Sequence, residues 1–357
     1  MPPIIGNIVF LFGAGASKGS THVLPEAPPV MPELYDRLAC RFPSEWGAAS
    51  RRAVNADRYK TNFEQAFTEI DLGQDPSRPP GVPGAPGLMA LEAQRPLAVF
   101  FSEFHLDGTR KDLYSRLLRY LQGSHLLERC FFSTLNYECL FEQACSRAGF
   151  TVNYLLAAAA AMLNATAGPD WPGSRGSSDT IYLAKIHGSC NFIARFDLHT
   201  QALLSASNTQ VEVSIDPRDP CATLSKTRDE VSVMTQTSRD RHNFLASSQI
   251  FQLSQMWNQA VTNAALVVIV GAASRQYDTH IVAPLRGTNA GIAFIGGRAD
   301  VDSWREINPR VHHLGDTFER AFCRLARYLA GHKRRPGGSW HQYVLDIVRA
   351  WVVYYRP

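Results

Sequence analysis

The stretch Asn7–Ser20, NIVFLFGAGASKGS, decides how the rest of the chain is read. Its first six residues, Asn7–Phe12, are almost continuously apolar, the pattern of a strand covered on both faces of a sheet. Small residues follow at once: Gly13, Ala14, Gly15, Ala16 and Ser17. A turn of this kind after a buried parallel strand lets the backbone approach a pyrophosphate closely, and a helix opening there supplies N–H donors. The spacing is not that of a phosphate-binding P-loop, because no Gly-Lys-Ser/Thr follows four residues after a glycine. Nor is it the ordinary dinucleotide fingerprint, since Lys18 stands where a third glycine would be. Taken alone, the turn is a weak signal, since a tight strand-to-helix connection also explains it.

Working outward, four more apolar runs read as buried strands: Cys130–Thr134, Ile181–Ile186, Ala265–Val270 and Gly291–Ile295. Helical spacings lie between them. Phe63, Phe67 and Ile70 fall at i, i+4, i+7; Leu113, Leu117, Leu118 and Leu121 repeat the pattern, with Asp112 placed to cap that helix. Strands separated by helices predict an α/β fold, a Rossmann-like parallel sheet with helices on both faces. A helical insertion over about residues 31–122 follows the first strand, interrupted by the Pro- and Gly-rich stretch Gly73–Gly87, which reads as a loop. Ala157–Ala161 reads as part of an ordinary helix, and the polar run from His199 to His242 as a lid or hairpin-bearing excursion.

The predicted organisation is one large domain, residues 1–316, followed by C-terminal helices over 317–357. The first of these carries Phe322, Leu325, Tyr328 and Leu329 on one face; the second, about Trp340–Tyr354, is apolar nearly all round and reads as buried against the body or a partner. Lys333-Arg334-Arg335 between them reads as a solvated linker.

Composition narrows the function. The 357 residues carry 36 Lys and Arg against 32 Asp and Glu, a formal net charge of +4, which argues against direct nucleic-acid binding. With 45% hydrophobic residues the chain can bury a substantial core, so general disorder is excluded. No apolar run approaches the roughly 18–20 residues of a membrane span, and the N-terminus lacks the basic segment of a secretory signal. Seven cysteines without a Cys-x-x-Cys pair argue against a disulfide framework or a four-cysteine zinc site, and a cytoplasmic location is expected. Most of the thiols read as small core residues.

Candidate site residues come from the strand ends. In an open parallel sheet the carboxyl ends lie along one edge, where ligands bind. The second strand runs into Thr134-Leu135-Asn136-Tyr137-Glu138, the third into Ile186-His187-Gly188-Ser189, and the fourth into Gly271-Ala272-Ala273-Ser274. Asn136 and His187 are thereby expected to converge on the glycine turn. His187 is the residue type that exchanges a proton near neutral pH.

These four pieces together resemble the sirtuin-like fold family, and within it the bacterial NAD hydrolases. Lesser echoes are Pro32-Glu33-Leu34, Asn62-Phe63-Glu64 and Trp257, and the likeness runs from about Ile4 to Gly297. The departures are the absence of a paired-cysteine zinc module, the lack of the Asp-Phe-Arg run after the glycine turn, Glu138 where the family usually has Asp, and Gly296-Gly297-Arg298 where it usually has an asparagine.

The resemblance implies cleavage of the nicotinamide–ribose bond of NAD, the substrate, with no metal. It assigns Asn136 to orient water or a ribose hydroxyl and His187 as general base. Gly13, Ala14, Gly15 and Ser17 would cradle the phosphates, Thr134 would contribute to the dinucleotide site, and Gly271 and Ser274 would bound the adenosine side. It further implies anti-phage defence by NAD depletion, self-association into a homo-oligomer, and control by a hexameric translocase-type ATPase or an Argonaute-like protein. Three readings stay open beside it: a sensor that binds NAD or ADP-ribose without turnover, an NAD-dependent protein deacylase, and a scaffold without a ligand.

Overall fold

The computed structural model describes residues 7–71, 86–157, 179–195, 211–212, 230–234, 247–276 and 278–333. At its centre is a seven-stranded parallel sheet. In chain order its strands are β1 (Asn7–Phe12), β4 (Cys130–Thr134), β5 (Thr151–Asn153), β6 (Thr180–Lys185), β10 (Ala264–Val270), β11 (Gly291–Ile295) and β12 (Val311–Gly315). The spatial order is β12-β11-β10-β1-β4-β6-β5. Two short strands, β2 (Val23–Leu24) and β3 (His105–Leu106), pair antiparallel, and β7 (Gly188–Arg195), β8 (Val211–Glu212) and β9 (Glu230–Met234) form a separate antiparallel sheet. The α/β Rossmann-like architecture is as the sequence predicts.

Every residue from Ile8 to Phe12 is buried, as are Leu266 to Val270 in the neighbouring strand. That accounts for the unbroken apolar runs: a central strand has a helix layer on each face and no polar face to show. β1 lies between β10 and β4, with Phe12 level with Val270 on one side and Thr134 on the other. After β1 the chain moves to the β4 side, and it returns at β10 to the opposite flank. The reversal places a topological switch point at β1, the position where open sheets of this class bind ligands.

Helices Met31–Arg41, Pro43–Trp46, Arg51–Val54, Ala56–Thr61, Phe63–Asp71, Pro86–Ser102 and Leu113–Gly123 lie between β1 and β4. Asp112 caps the last of them, its side chain accepting from Ser115 N at 2.8 Å. Tyr35, Trp46, Tyr59, Phe63 and Phe67 form an aromatic cluster, with centroid spacings from 5.3 Å for Trp46–Tyr59 to 6.4 Å for Trp46–Phe67. The insertion thus has a core of its own.

Two expected elements differ at their edges. Pro86 and Gly87 open the helix Pro86–Ser102 rather than closing the loop; the remainder of Gly73–Gly87 is outside the described residues. Of the polar excursion, β8 and β9 are described; they pair with β7 on its two edges and not with each other, and the rest of His199–His242 is outside the described residues. Apart from Ala157, the Ala157–Ala161 run is outside the described residues, as are Trp340–Tyr354 and the Arg334-Arg335 pair. The helix Phe318–Lys333 buries Phe322, Leu325 and Leu329. Among the described residues no helix is long and apolar enough to cross a membrane.

Candidate functional site

A cavity of about 430 Å³ opens at the carboxyl edge of the sheet, a size typical of small-molecule sites. Its walls come from the ends of β1, β4, β6, β10, β11 and β12, closed by Pro28–Val30 ahead of the insertion and by Met31, Pro32, Leu34, Glu64 and Phe101 within it. Gly13, Ala14, Gly15, Ser17, Asn136, His187 and Gly271 all line it, so the sheet brings together seven of the residues expected from the strand ends. Thr134 and Ser274 are not among its walls. Thr134 sits beneath it, its Oγ1 donating to the Phe12 carbonyl at 3.3 Å and accepting from Asn136 N at 3.0 Å. Arg275, next to Ser274, reaches the cavity instead.

The glycines have a role other than a free phosphate cradle. Gly13 N donates to the Val270 carbonyl at 2.9 Å and Gly15 N to the Gly271 carbonyl at 2.8 Å, so these two N–H groups join the first turn to the turn after β10. A Cβ on Gly13 would lie 2.5 Å from Ala272 Cα, and one on Gly15 2.9 Å from Gly271 Cα. Gly271 has φ +63°, and a Cβ there would overlap Ala16 N. Small residues are therefore required because two turns cross in contact, whatever ligand lies above them. The helix after the first turn, Ala14–Gly19, has only six residues. Lys18, at the position of the missing third glycine, is half-exposed and pairs with Glu33 at 2.5 Å.

Ser17 points into a buried polar network. Asn136 Nδ2 donates to Ser17 Oγ at 3.0 Å and to the Gly13 carbonyl at 3.1 Å. Because that carbonyl can only accept, the amide has one orientation. A hydroxyl has one hydrogen and two acceptor sites. With Asn136 donating to it, Ser17 gives its hydrogen to Glu138 Oε1 and accepts from the Tyr114 hydroxyl at 2.9 Å. Burial, reinforced by Glu138, raises the Tyr114 phenol well above its usual range, which keeps it protonated as a donor. Phe12 and Phe141 hold the Tyr114 ring edge-on, with centroids 5.2 and 5.6 Å away.

Below this lies a buried cation. Lys185, at the end of β6, donates to the Glu138 carbonyl at 2.6 Å and to Glu142 Oε1 at 2.7 Å. Burial pulls the Lys185 ammonium down, but the surrounding negative groups, Glu142 foremost, outweigh it and the net shift is upward. Burial raises the Glu138 carboxyl; Lys185 and the Ser17 hydrogen bond oppose this without cancelling it. Ordering these side chains leaves one gap: Asn136 Oδ1 is buried and has no hydrogen-bond partner. An orphaned acceptor of this kind costs about 1–3 kcal/mol, which a bound donor would recover.

His187 occupies the end of the strand beside Asn136 and is 3% exposed. Its Nε2 faces Nε2 of His280, in the first turn of the helix Thr279–Gly287, at 3.1 Å. The turn bearing Asn136 is tied to the start of β7: Cys190 N donates to the Tyr137 carbonyl at 2.9 Å, and Ser189 Oγ donates to the same carbonyl at 3.1 Å. Cys139, Cys145 and Cys190 are buried, and burial raises the Cys139 and Cys145 thiols well above their usual range, consistent with small core residues.

The opposite end of the cavity is charged and more open. Arg275 and Asp278 follow β10, Asp300 follows β11, and Asp316 and Thr317 follow β12. Burial raises the Asp300 carboxyl, and the Arg275 charge works against that shift. Sequence reasoning missed Asp316 and Thr317 because β12, VHHLG, is not an apolar run: His312 is exposed and His313 half-buried on this edge strand. Arg275, Asp278 and Asp300 lie a few residues beyond strand ends that were legible, with no spacing that marks them. Among the described residues there is no group of three or more His, Cys, Asp or Glu placed to hold a metal. No protein-family model matches the chain, and no curated protein matches it.

Proposed function

We propose that the chain hydrolyses NAD, splitting the bond between nicotinamide and ribose to give nicotinamide and ADP-ribose. The observation that carries this reading is the buried, unpartnered Asn136 Oδ1 in a strand-end cavity that also holds His187. A ribose hydroxyl or an attacking water is the kind of donor that position lacks. The sirtuin-like pattern at these turns supports the dinucleotide as substrate.

In this reaction the glycosidic electron pair leaves with the pyridinium nitrogen, and nicotinamide departs neutral. An oxocarbenium-like ribose remains, water adds to its anomeric carbon, and the water's proton goes to His187. The chain supplies orientation and shielding. Asn136, fixed through Ser17 and the Gly13 carbonyl, aligns the hydroxyl or water. The sheet edge holds the dinucleotide with its adenosine end toward Arg275 and Asp300. The backbone cradle is narrower than the glycine pattern alone suggests, since Gly13 and Gly15 spend their N–H groups on the β10 turn.

Unrestrained hydrolysis would drain cellular NAD, so we place its control in self-association and in a separate sensing protein, a hexameric translocase-type ATPase or an Argonaute-like protein, as an effector of anti-phage defence. A monomeric chain that is fully active alone would overturn that part. The catalytic reading is tested by incubating the chain with NAD, alone and with the products of neighbouring genes, and following nicotinamide. Release that disappears in His187→Ala supports it. NAD binding without release favours the sensor, and release only on adding an acylated peptide favours the deacylase.

A further inference from the structure

The reaction NAD⁺ + H₂O → ADP-ribose + nicotinamide + H⁺ produces one proton per turnover, and His187, which takes it, is 3% exposed. The proton must leave a buried imidazole before the next cycle. His280 Nε2 lies 3.1 Å from His187 Nε2, and the His280 ring is half-buried, at the boundary between the site and solvent. A hydrogen bond between two ring nitrogens forms only when one carries the hydrogen and the other presents its lone pair. Once His187 holds the water's proton, both its ring nitrogens bear hydrogen, and its Nε2–H points at His280.

Resting on the hydrolytic reading, we propose that His280 is the proton exit of the site: it takes the proton from His187 across the Nε2–Nε2 contact and passes it to solvent. The water's proton bonds to His187 Nδ1, the N–H bond at His187 Nε2 breaks as one forms at His280 Nε2, and His280 Nδ1–H gives its proton to solvent. Once the products leave, exchange with water in the emptied cavity returns both rings to their starting tautomers, and no oxidant or further reactant is needed. His280 is not among the cavity walls, so it acts through His187 as a positioning and relay residue. Its place in the helix Thr279–Gly287 also ties the base to the turn after β10 that bears Arg275 and Asp278.

The test uses the full chain at one fixed pH. His280→Ala lowers kcat at least tenfold with KM within a factor of two, and added imidazole restores the rate. His280→Gln keeps a side chain able to hydrogen bond to His187 but unable to relay a proton, and it stays slow. Wild-type turnover in either variant, or an alanine variant that imidazole leaves unchanged, overturns the proposal. ¹⁵N spectra of the imidazoles without NAD separate this from failure of the hydrolytic reading. The His187 Nε2 resonance shifts in His280→Ala, which removes its ring partner outright, when the rings share a proton. An unmoved resonance refutes the pair even where the wild type hydrolyses NAD, whereas a wild type that releases no nicotinamide refutes the reading while the spectra still report on the pair.

Discussion

The two ends of the cavity are built on opposite principles. Around Asn136 the side chains are buried and nearly every polar atom is satisfied by another: Gly13, Ser17, Glu138 and Tyr114 fix one amide, and Lys185 with Glu142 supports them from below. Around Arg275, Asp300 and Asp316 the charged groups are half-buried or exposed, and the walls are the ends of β11 and β12. A network held by its own bonds gives a fixed orientation, which chemistry needs. Charged groups near water give adjustable contacts, suited to holding the part of a ligand that does not react. Changes at the first end therefore strike turnover, and changes at the second strike binding.

The largest effect is expected at the first end. Asn136→Ala lowers kcat by about 10²-fold or more, in the range general for losing an orienting or acid–base group, with a far-UV spectrum like the wild type's. Next comes Gly271→Ala, which attacks the crossing on which both ends depend. With φ at +63° and Ala16 N in the way, the variant loses about 1–3 kcal/mol and its melting temperature falls by several degrees. Ser17→Ala removes the hub, leaving the buried Glu138 carboxyl without its hydroxyl partner. A loss of about 1–3 kcal/mol in denaturant melts is expected, together with a fall in kcat.

At the charged end, Arg275→Gln and Asp300→Asn raise KM a few-fold and leave kcat within about twofold, because their charges are partly screened. Equal loss of kcat in Arg275→Gln and Asn136→Ala would erase the distinction between the ends. The smallest effect concerns pH. Burial raises the Glu138 carboxyl, so the native state resists ionising it, and its contribution to stability declines as pH rises from the ordinary carboxyl value through the raised one. Melting curves of the wild type relative to Glu138→Gln should therefore move in favour of the variant over that interval.

The same contrast governs what could be read from sequence. β1, β4, β10 and β11 are legible because strands covered on both faces must be apolar throughout, and their ends carry Gly13, Asn136 and Gly271 into the cavity. The edge strand β12 hides two histidines in its middle, and β5 has only three residues, so neither has a pattern to find. His280 lies 93 residues from His187 and meets it only because the sheet places the end of β6 beside the helix following β10. Ser17 was legible as a small residue in a glycine turn but not as the partner of Asn136, Glu138 and Tyr114. Those contacts depend on which way a buried hydroxyl faces, and no local spacing records that.

The account stands most directly on nicotinamide release from NAD by the full chain and by Asn136→Ala, measured alongside NAD binding. It predicts release by the wild type and a fall of about 10²-fold in the variant, with binding retained. Equal release by both, or NAD binding by the wild type with no release under any combination with its neighbouring gene products, would contradict it.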